Sequence, residues 1–537
     1  MKLNRDGLKH REFWEQAGFE IPGFDMGKML AATYEAPVWV HFGAGNIFRG
    51  FVTALQQKLL EDGRTDKGII AVSPNDSTII DQVYRPSDNL TILVHLLADG
   101  SLERKVIASV AESLSGNAGA SEDWKRLLQI FSTPSLQMVS LTVTEKGYAL
   151  TGMAGEFLPV VIEDMKSGPE KPESLMAKLA ALLYSRYMSG KLPIALVSMD
   201  NCSHNGDMLR KSIKTLAGSW VENGFVEKGY LEYLDDTEKV AFPCTMIDKI
   251  TPRPSETVAK NLEDLGIEDM KIICTCKNSY MSQFVNAERP QYLVVEDNFP
   301  NGRPPLEEAG VYFTDKATVD KVEKMKVTTC LNPLHTALAI FGCLLGYTLI
   351  AEEMKDEHLR RLVEKIGYDE GMPVVVNPGI ISPREFIDEV LTQRLPNPFI
   401  PDSPQRIACD TSQKIPVRFG ETIKTYHGHP TLEASGLTFI PLAIAGWCRY
   451  LMGIDDMGND MELSPDPMLK ELRAYVGNVR LCDPEATGDC LKPLLSNSRI
   501  FGMDLYQAGL GDKIGGFFVE MLSGPGAVRK VLEKYVK

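Results

Sequence analysis

The sequence predicts an α/β protein in two parts, the first built on a parallel sheet and the second mostly α-helical. Three observations predict it. Near the N-terminus a short apolar run ends in a glycine turn and passes at once into a helical apolar pattern. Apolar runs of strand length then recur as far as residue 295, several of them ending in polar clusters. Beyond about residue 316, apolar residues recur at helical spacing instead. The 537 residues exceed one ordinary domain, and the change of character divides them into 1–315 and 316–537.

The first element is the strand 37–42, PVWVHF, closed by Gly43-Ala44-Gly45. Phe51, Leu55 and Leu59 then repeat every four residues, which makes the next segment a helix. Strand, glycine turn and helix open a Rossmann-type dinucleotide-binding unit. Glycines let the backbone approach a pyrophosphate, and the helix N-terminus offers unpaired N–H donors. The third glycine of a G-x-G-x-x-G pattern would fall at Phe48, so the pattern alone fits an ordinary βα turn equally well. A second strand, 68–72, ends in Ser73-Pro74-Asn75-Asp76. Asp76 suits either a ribose 2′-hydroxyl, which favours NAD over NADP, or a helix cap.

Further strands are expected at 90–96, 106–110, 138–143, 194–198 and 292–295. Polar residues follow two of them, Thr144 to Tyr148 and Met199 to Gly206. Ligands bind just past strand C-termini in open α/β sheets. The proline- and glycine-rich stretch 296–305 is expected to link the domains. Helices are expected through 319–365 and near 385–394, 435–452, 466–476 and 525–536. Inside the apolar run 319–347, Lys326, Asn332 and His335 lie within ten residues. Buried polar groups are costly unless paired, so this cluster marks either an exposed helix edge or a site.

The net charge of -15 argues against nucleic acid and anionic membranes as partners. The N-terminus has no apolar signal region, and no uncharged apolar stretch approaches the ~18 residues of a membrane span. The ten cysteines are scattered, and Cys274 and Cys276 lack the C-x-x-C spacing, which suits reduced thiols in a cytoplasmic protein. His427 and His429 form the one close histidine pair and read as a polar loop, so no metal is expected.

These residues carry a resemblance. HFGAGNIFRGF at 41–51, SLTVTEKGY at 140–148, SMDN at 198–201, TMIDKITP at 245–252, VVEDNFPNGRPPLE at 294–307, EKMK at 323–326, LNPLH at 331–335 and RIACDTSQKIP at 406–416 stand in order along nearly the whole chain. The set resembles the polyol-specific long-chain dehydrogenase/reductase family. The resemblance implies a Rossmann domain, a helical domain, and metal-independent hydride transfer with NAD or NADP. It implies Lys326 as acid/base, with Asn201 and Asn332 as donors to the alkoxide-like oxygen. It places His335, Lys414, Asp248 and Arg406 against the substrate, Arg406 with a fork suited to a carboxylate. Cys409, where relatives often carry a polar group, would form part of the substrate wall. Gly43, Gly45, Asn46, Ile47 and Arg49 would meet the cofactor, and Glu323 would connect Lys326 to solvent protons. The bland alternatives are a helix cap for Asp248, a surface partner for Glu323, and surface ion pairs for Arg406 and Lys414.

One spacing departs from the family. The lysine usually precedes the asparagine by five residues, and here Lys326 precedes Asn332 by six. At ~100° per residue, the nine residues to His335 would put lysine and histidine on opposite sides of a regular helix. The spacing therefore predicts a bulge or break between Val327 and Asn332, helped by the missing amide of Pro333. The activity implied is interconversion of D-mannonate and D-fructuronate, with mannitol/fructose or the tagaturonate reaction as alternatives. A nucleotide-binding sensor without catalysis is the alternative of another class. The expected partner is a small sugar acid or polyol, and the expected state a monomer or homodimer.

Overall fold

The apolar runs of the first half become the six strands of one parallel sheet: β1 (Trp39–Phe42), β2 (Ile69–Ser73), β3 (Val110–Ser115), β4 (Met138–Leu141), β5 (Ile194–Ser198) and β6 (Val240–Ala241). Their order is β3-β2-β1-β4-β5-β6, every neighbouring pair being parallel. That is the doubly wound order of dinucleotide-binding sheets, which reverses direction between β1 and β4. The computed structural model describes residues 1–119, 121–152, 154–275, 279–483, 487 and 489–537. The chain divides into two compact units: Met1–Leu97 with Ser101–Asp320, and Lys321–Lys537 with Ala98–Gly100.

β1, β2, β4 and β5 are buried along their whole length, as a parallel sheet covered on both faces requires. Alternate side chains feed two cores. Val40, Phe42, Ile70, Val72, Val139 and Leu196 pack with Leu127 and Phe131, with Leu179 and Leu183 of α2 (Leu175–Met188), and with Leu209 and Leu216 of α3 (Asn205–Glu222). Trp39, Ile69, Ala71, Met138 and Val197 face the other way, onto Phe48 and Phe51 and onto Leu55 and Leu59 of α1 (Thr53–Glu61). The Arg186 guanidinium, fully buried on α2, donates to the carbonyls of Phe131, Thr133, Leu136, Leu192 and Pro193. It ties the approaches to β4 and β5 together.

Two expectations need correction. The run 106–110 is not one strand. Leu102–Ile107 ends there, pairing antiparallel with Thr91–Leu96 in a separate four-stranded sheet, and β3 begins at Val110. The strand changes sheets at Ala108 and Ser109, so one apolar run serves two. The stretch 296–305 is an internal loop, not a linker. After it the chain returns as Tyr312–Thr314, parallel to Tyr292–Glu296 within the first unit.

The apolar run is a helix in two pieces, α4 (Lys316–Met325), whose first five residues belong to the first unit, and α5 (Asn332–Leu345) in the second. By length and composition the whole run would pass for a membrane span, yet most of its apolar window is buried within the protein, as in a core helix. α5 packs on α6 (Phe439–Tyr450), which packs on α7 (Gly511–Met521).

Glu353, closing the short helix Ile350–Glu353, lies wholly inside this unit. Among the described residues neither carboxyl oxygen has a hydrogen-bond partner, and the group rests on Gly342 of α5, where a Cβ would collide with it. Burial pushes its pKa up to about 9, with the Asp356 charge adding to the effect. The folded protein therefore holds a proton that the unfolded chain releases above an ordinary carboxyl pKa of about 4.3. The folded state's preference is complete below that pH and is lost as pH rises toward 9. Glu353→Gln, neutral at every pH, is expected to match the wild type at pH 4.5. By pH 9 it should exceed the wild type by on the order of 6 kcal/mol in a thermal or urea melt.

Candidate active site

The turn after β1 is the first part of the site. Gly43 has φ +117°, and a Cβ there would strike the Thr142 carbonyl, so only glycine fits. A Cβ at Gly45 would meet nothing within 4 Å. The helix starts at Asn46 and Ile47 and passes through a π-turn, Phe48–Val52, into α1. Beneath the turn, His41 is fully buried and stacked on Phe48 at 4.2 Å. Burial lowers its pKa to about 3, so the ring is neutral. Trp39 Nε1 donates to Ser140 Oγ at 2.7 Å. The Thr142 hydroxyl donates to the Gly43 carbonyl and so accepts from His41 Nε2–H, which in a neutral ring leaves Nδ1 to accept from the Ser140 hydroxyl, 2.6 Å away. His41 Nε2–H then donates to Thr142 Oγ1 at 2.8 Å, and Thr142 donates to the Gly43 carbonyl at 3.2 Å. The bonds run in one direction from strand to turn.

The loops past β4 and β5 meet at Asp200. Its carboxylate accepts from the amides of Val143 and Thr144 and from Tyr148 OH. Thr144 has φ 66° and ψ 160°, a region nearly reserved for glycine. Asp200 holds this strained residue in place. Asn205, buried at the start of α3, donates to the Asp200 and Thr245 carbonyls and accepts from the Thr245 amide. It thereby fixes the strand Thr245–Asp248, which carries the buried Asp248. Asn201 is exposed directly after Asp200.

Two residues expected at the cofactor make bonds within the protein. Arg49 is fully buried, and its terminal nitrogens donate to the carbonyls of Ser282 and Phe284 and to Asn46 Oδ1. It clamps the first helix onto the neighbouring sheet rather than facing outward. Asp76 Oδ1 accepts from the Thr78 amide, the capping geometry.

In the second unit the helix does not run through. Lys326–Cys330 forms a π-turn, with the Leu331 amide bonded to the Lys326 carbonyl at 3.1 Å. Leu331 then leaves the helical well, at φ -131° and ψ -60°, and α5 begins at Asn332 with Pro333 in its first turn. The extra residue between lysine and asparagine is absorbed there. Thr422 Oγ1 donates to the Thr328 carbonyl within the turn. Lys326 is buried, and Glu323 lies on α4 one turn before it. Among the described residues no hydrogen bond is made to the half-buried Asn332 amide.

His335, in the first turn of α5, sits with Nε2 3.4 Å from Asp402 Oδ2, too poorly aligned for a hydrogen bond. Burial lowers its pKa to about 4, against the pull of Asp402 and helped by Arg418, Arg406 and Arg394. Arg406 is 63% exposed and pairs with Asp402. Lys414 donates to the carbonyls of Ile407 and Cys409, closing that turn, and burial lowers its pKa. Cys409 is half-buried, its Sγ 3.6 Å from the Gln405 carbonyl. Sequence reasoning missed Asp402, Arg394 and Arg418. The signal for the last is its place four residues beyond Lys414, one helical turn on. Lys326, Arg394 and Arg418 each lie in a π-turn, a feature common at functional sites.

Among the described residues no three His, Cys, Asp or Glu side chains gather to hold a metal. His429 Nδ1 accepts from the Thr431 and Leu432 amides within a loop. Cys274 is exposed, and Cys276 lies outside the described residues.

A Rossmann-ordered sheet with its glycine turn, followed by a helical unit with a broken polar helix, defines a two-domain protein of the dinucleotide-binding class. The mannitol dehydrogenase Rossmann domain matches residues 38–308 and the mannitol dehydrogenase C-terminal domain residues 318–514, so the chain belongs to the mannitol dehydrogenase family. It is 56% identical to the D-mannonate oxidoreductase of Thermotoga maritima, over 100% of this chain and 99% of that one. It is 30% identical to a mannitol 2-dehydrogenase of Aspergillus fumigatus, over 94% and 93%. The mannitol 2-dehydrogenase of Pseudomonas fluorescens, solved with NAD and D-mannitol, matches at a TM-score of 0.68 and 25% identity over 99% of both chains.

Asp200 anchors the loop past β4, and its worth is measurable. Asp200→Ala removes the acceptor of three hydrogen bonds and should cost about 3 kcal/mol in a thermal melt. Adding Thr144→Gly should restore about 1 kcal/mol, because glycine adopts that conformation without strain.

Proposed function

We propose that the protein is an NAD-dependent oxidoreductase interconverting D-mannonate and D-fructuronate. The observation that carries this reading is the full-length 56% identity to a D-mannonate oxidoreductase. A cationic neighbourhood in the helical unit, with Arg418, Arg406 and Arg394 acting on His335 and Arg418 and Arg406 acting on Lys414, supports an acidic substrate.

The strand–glycine turn–helix of the first unit fits a dinucleotide. Gly43 and Gly45 bring bare backbone to the turn, and Asn46 and Ile47 begin the helix beyond it. When bound, the nicotinamide supplies a hydride acceptor for the carbinol carbon, or a donor in the reverse direction. Asp76 lies just past β2, where its charge would repel a 2′-phosphate, so NAD is preferred over NADP.

Lys326 takes the hydroxyl proton as the alcohol becomes a ketone and returns it on reduction. Asn201 and Asn332 donate to the same oxygen as negative charge develops on it. His335 and Asp248 hold neighbouring substrate hydroxyls. His335 Nε2, buried and without a hydrogen-bond partner, suits that task. Glu323 relays the proton between Lys326 and solvent. Lys414 closes the substrate wall beside Cys409.

A nicotinamide absorbance assay tests the reading. D-Fructuronate with NADH should turn over fastest, with D-fructose and NADPH each slower. Lys326→Ala should lower kcat by at least about 1,000-fold, as loss of the acid/base group does. Turnover of D-fructose in preference to D-fructuronate would move the enzyme to the mannitol reaction. Full activity in Lys326→Ala would overturn the choice of base.

A further inference from the structure

The fully buried guanidinium groups of this protein are held mainly by carbonyls, although Nε of Arg49 and of Arg449 has no partner among the described residues. Arg186 has five carbonyls, Arg49 two carbonyls and a side-chain amide, and Arg449 the carbonyls of Ile454 and Asp455. Arg418 is different. Among the described residues its one hydrogen bond runs from Nη1 to Thr336 Oγ1, at 2.7 Å, and no carboxylate pairs with it. It is half-buried, and burial alone pulls its pKa down to about 10. A desolvated cation without a counter-charge is costly, and native proteins keep one where an anion completes it.

Its position says which anion. Arg418 lies in the π-turn Pro416–Gly420, which packs against both the Lys326–Cys330 turn and α5. Its anchor, Thr336, follows His335 directly. Of the cations around His335 and Lys414, Arg418 acts on each most strongly. Arg406 lacks such freedom, because Asp402 already meets its charge and it is mostly exposed. Nε and Nη2 of Arg418 remain as two parallel donors, the fork that matches two carboxylate oxygens.

We propose that Arg418 receives the carboxylate of the substrate, so that this residue, and not Arg406, selects sugar acids over neutral polyols. This rests on the oxidoreductase reading above. A neutral polyol leaves the guanidinium desolvated and unpaired. A hexonate or keto-hexuronate neutralises it.

The test compares wild type, Arg418→Met and Arg418→Lys with D-fructuronate and NADH. D-Mannitol serves as a neutral competitive inhibitor, and a thermal melt is run on each protein. Arg418→Met is expected to raise KM for D-fructuronate about 100-fold, with kcat changed by only a few-fold. The mannitol inhibition constant should move far less than that KM. Arg418→Lys should recover part of the affinity, because it keeps the charge but not the fork. Arg418→Met should melt no lower than wild type, since it removes an unpaired buried charge. An unchanged KM for D-fructuronate in Arg418→Met would overturn the proposal. So would equal losses for fructuronate and mannitol together with a lowered melting point, which mark a structural role. A wild-type enzyme inactive on D-fructuronate with either cofactor would instead remove the reading beneath it, which separates the two failures.

Discussion

One residue too many between Lys326 and Asn332 is the constraint that shapes the helical unit. A regular helix would carry the lysine and His335 on opposite sides. The chain answers with a π-turn at Lys326–Cys330 and a non-helical Leu331, so that α5 starts afresh at Asn332. The break has local supports. Pro333 sits in a first turn where its missing amide costs nothing, and Thr422 satisfies a carbonyl inside the turn. The same device returns at Val390–Arg394 and Pro416–Gly420. Each turn carries a cation, and each sits within an otherwise ordinary helical stretch.

The two units treat polar groups in opposite ways. In the first, the groups under the glycine turn are matched to one another. Trp39, Ser140, His41 and Thr142 form a chain whose direction is set by the Gly43 carbonyl, an acceptor only, on which it ends. Asp200 is likewise filled by two amides and a phenol. These groups are framework, and they hold backbone in shapes a nucleotide needs. In the second unit, among the described residues, His335 Nε2 has no hydrogen-bond partner and Arg418 makes one hydrogen bond, to Thr336. Unfilled donors at a buried place are what a polyhydroxylated, charged substrate can satisfy.

Much of this was readable from the chain. β1, β2, β4 and β5 announced themselves as short apolar runs, because a sheet covered on both faces needs no alternation. The break after Lys326 followed from counting residues against helical geometry. What the sequence hid was pairing at a distance. Nothing near Asp76 or Arg49 distinguishes a cofactor contact from a cap or a clamp, because the deciding partners are Thr78 in one case and the strand carbonyls of Ser282 and Phe284 in the other. The run 106–110 concealed a change of sheet for the same reason, since hydrogen-bond partners leave no local trace. Arg418 escaped notice because an arginine on a helix is ordinarily a solvated one.

The pairing pattern of the first unit also sets a timetable for its birth. The first strand, Phe19–Glu20, joins a sheet whose far edge is Phe284–Glu288, and the amino terminus itself bonds to Gly266 and Glu268. The sheet carrying Asp248 closes only with Tyr312–Thr314. A ribosome must therefore release more than three hundred residues before this unit can complete itself. β1 meets its neighbours β2 and β4 once residue 141 is made, whereas the sheet that Phe19–Glu20 joins lacks its far edge until Phe284–Glu288 follows. The parallel sheet is thus the early product of synthesis and the two smaller sheets the late ones, the order that the sequence separation of their strands imposes.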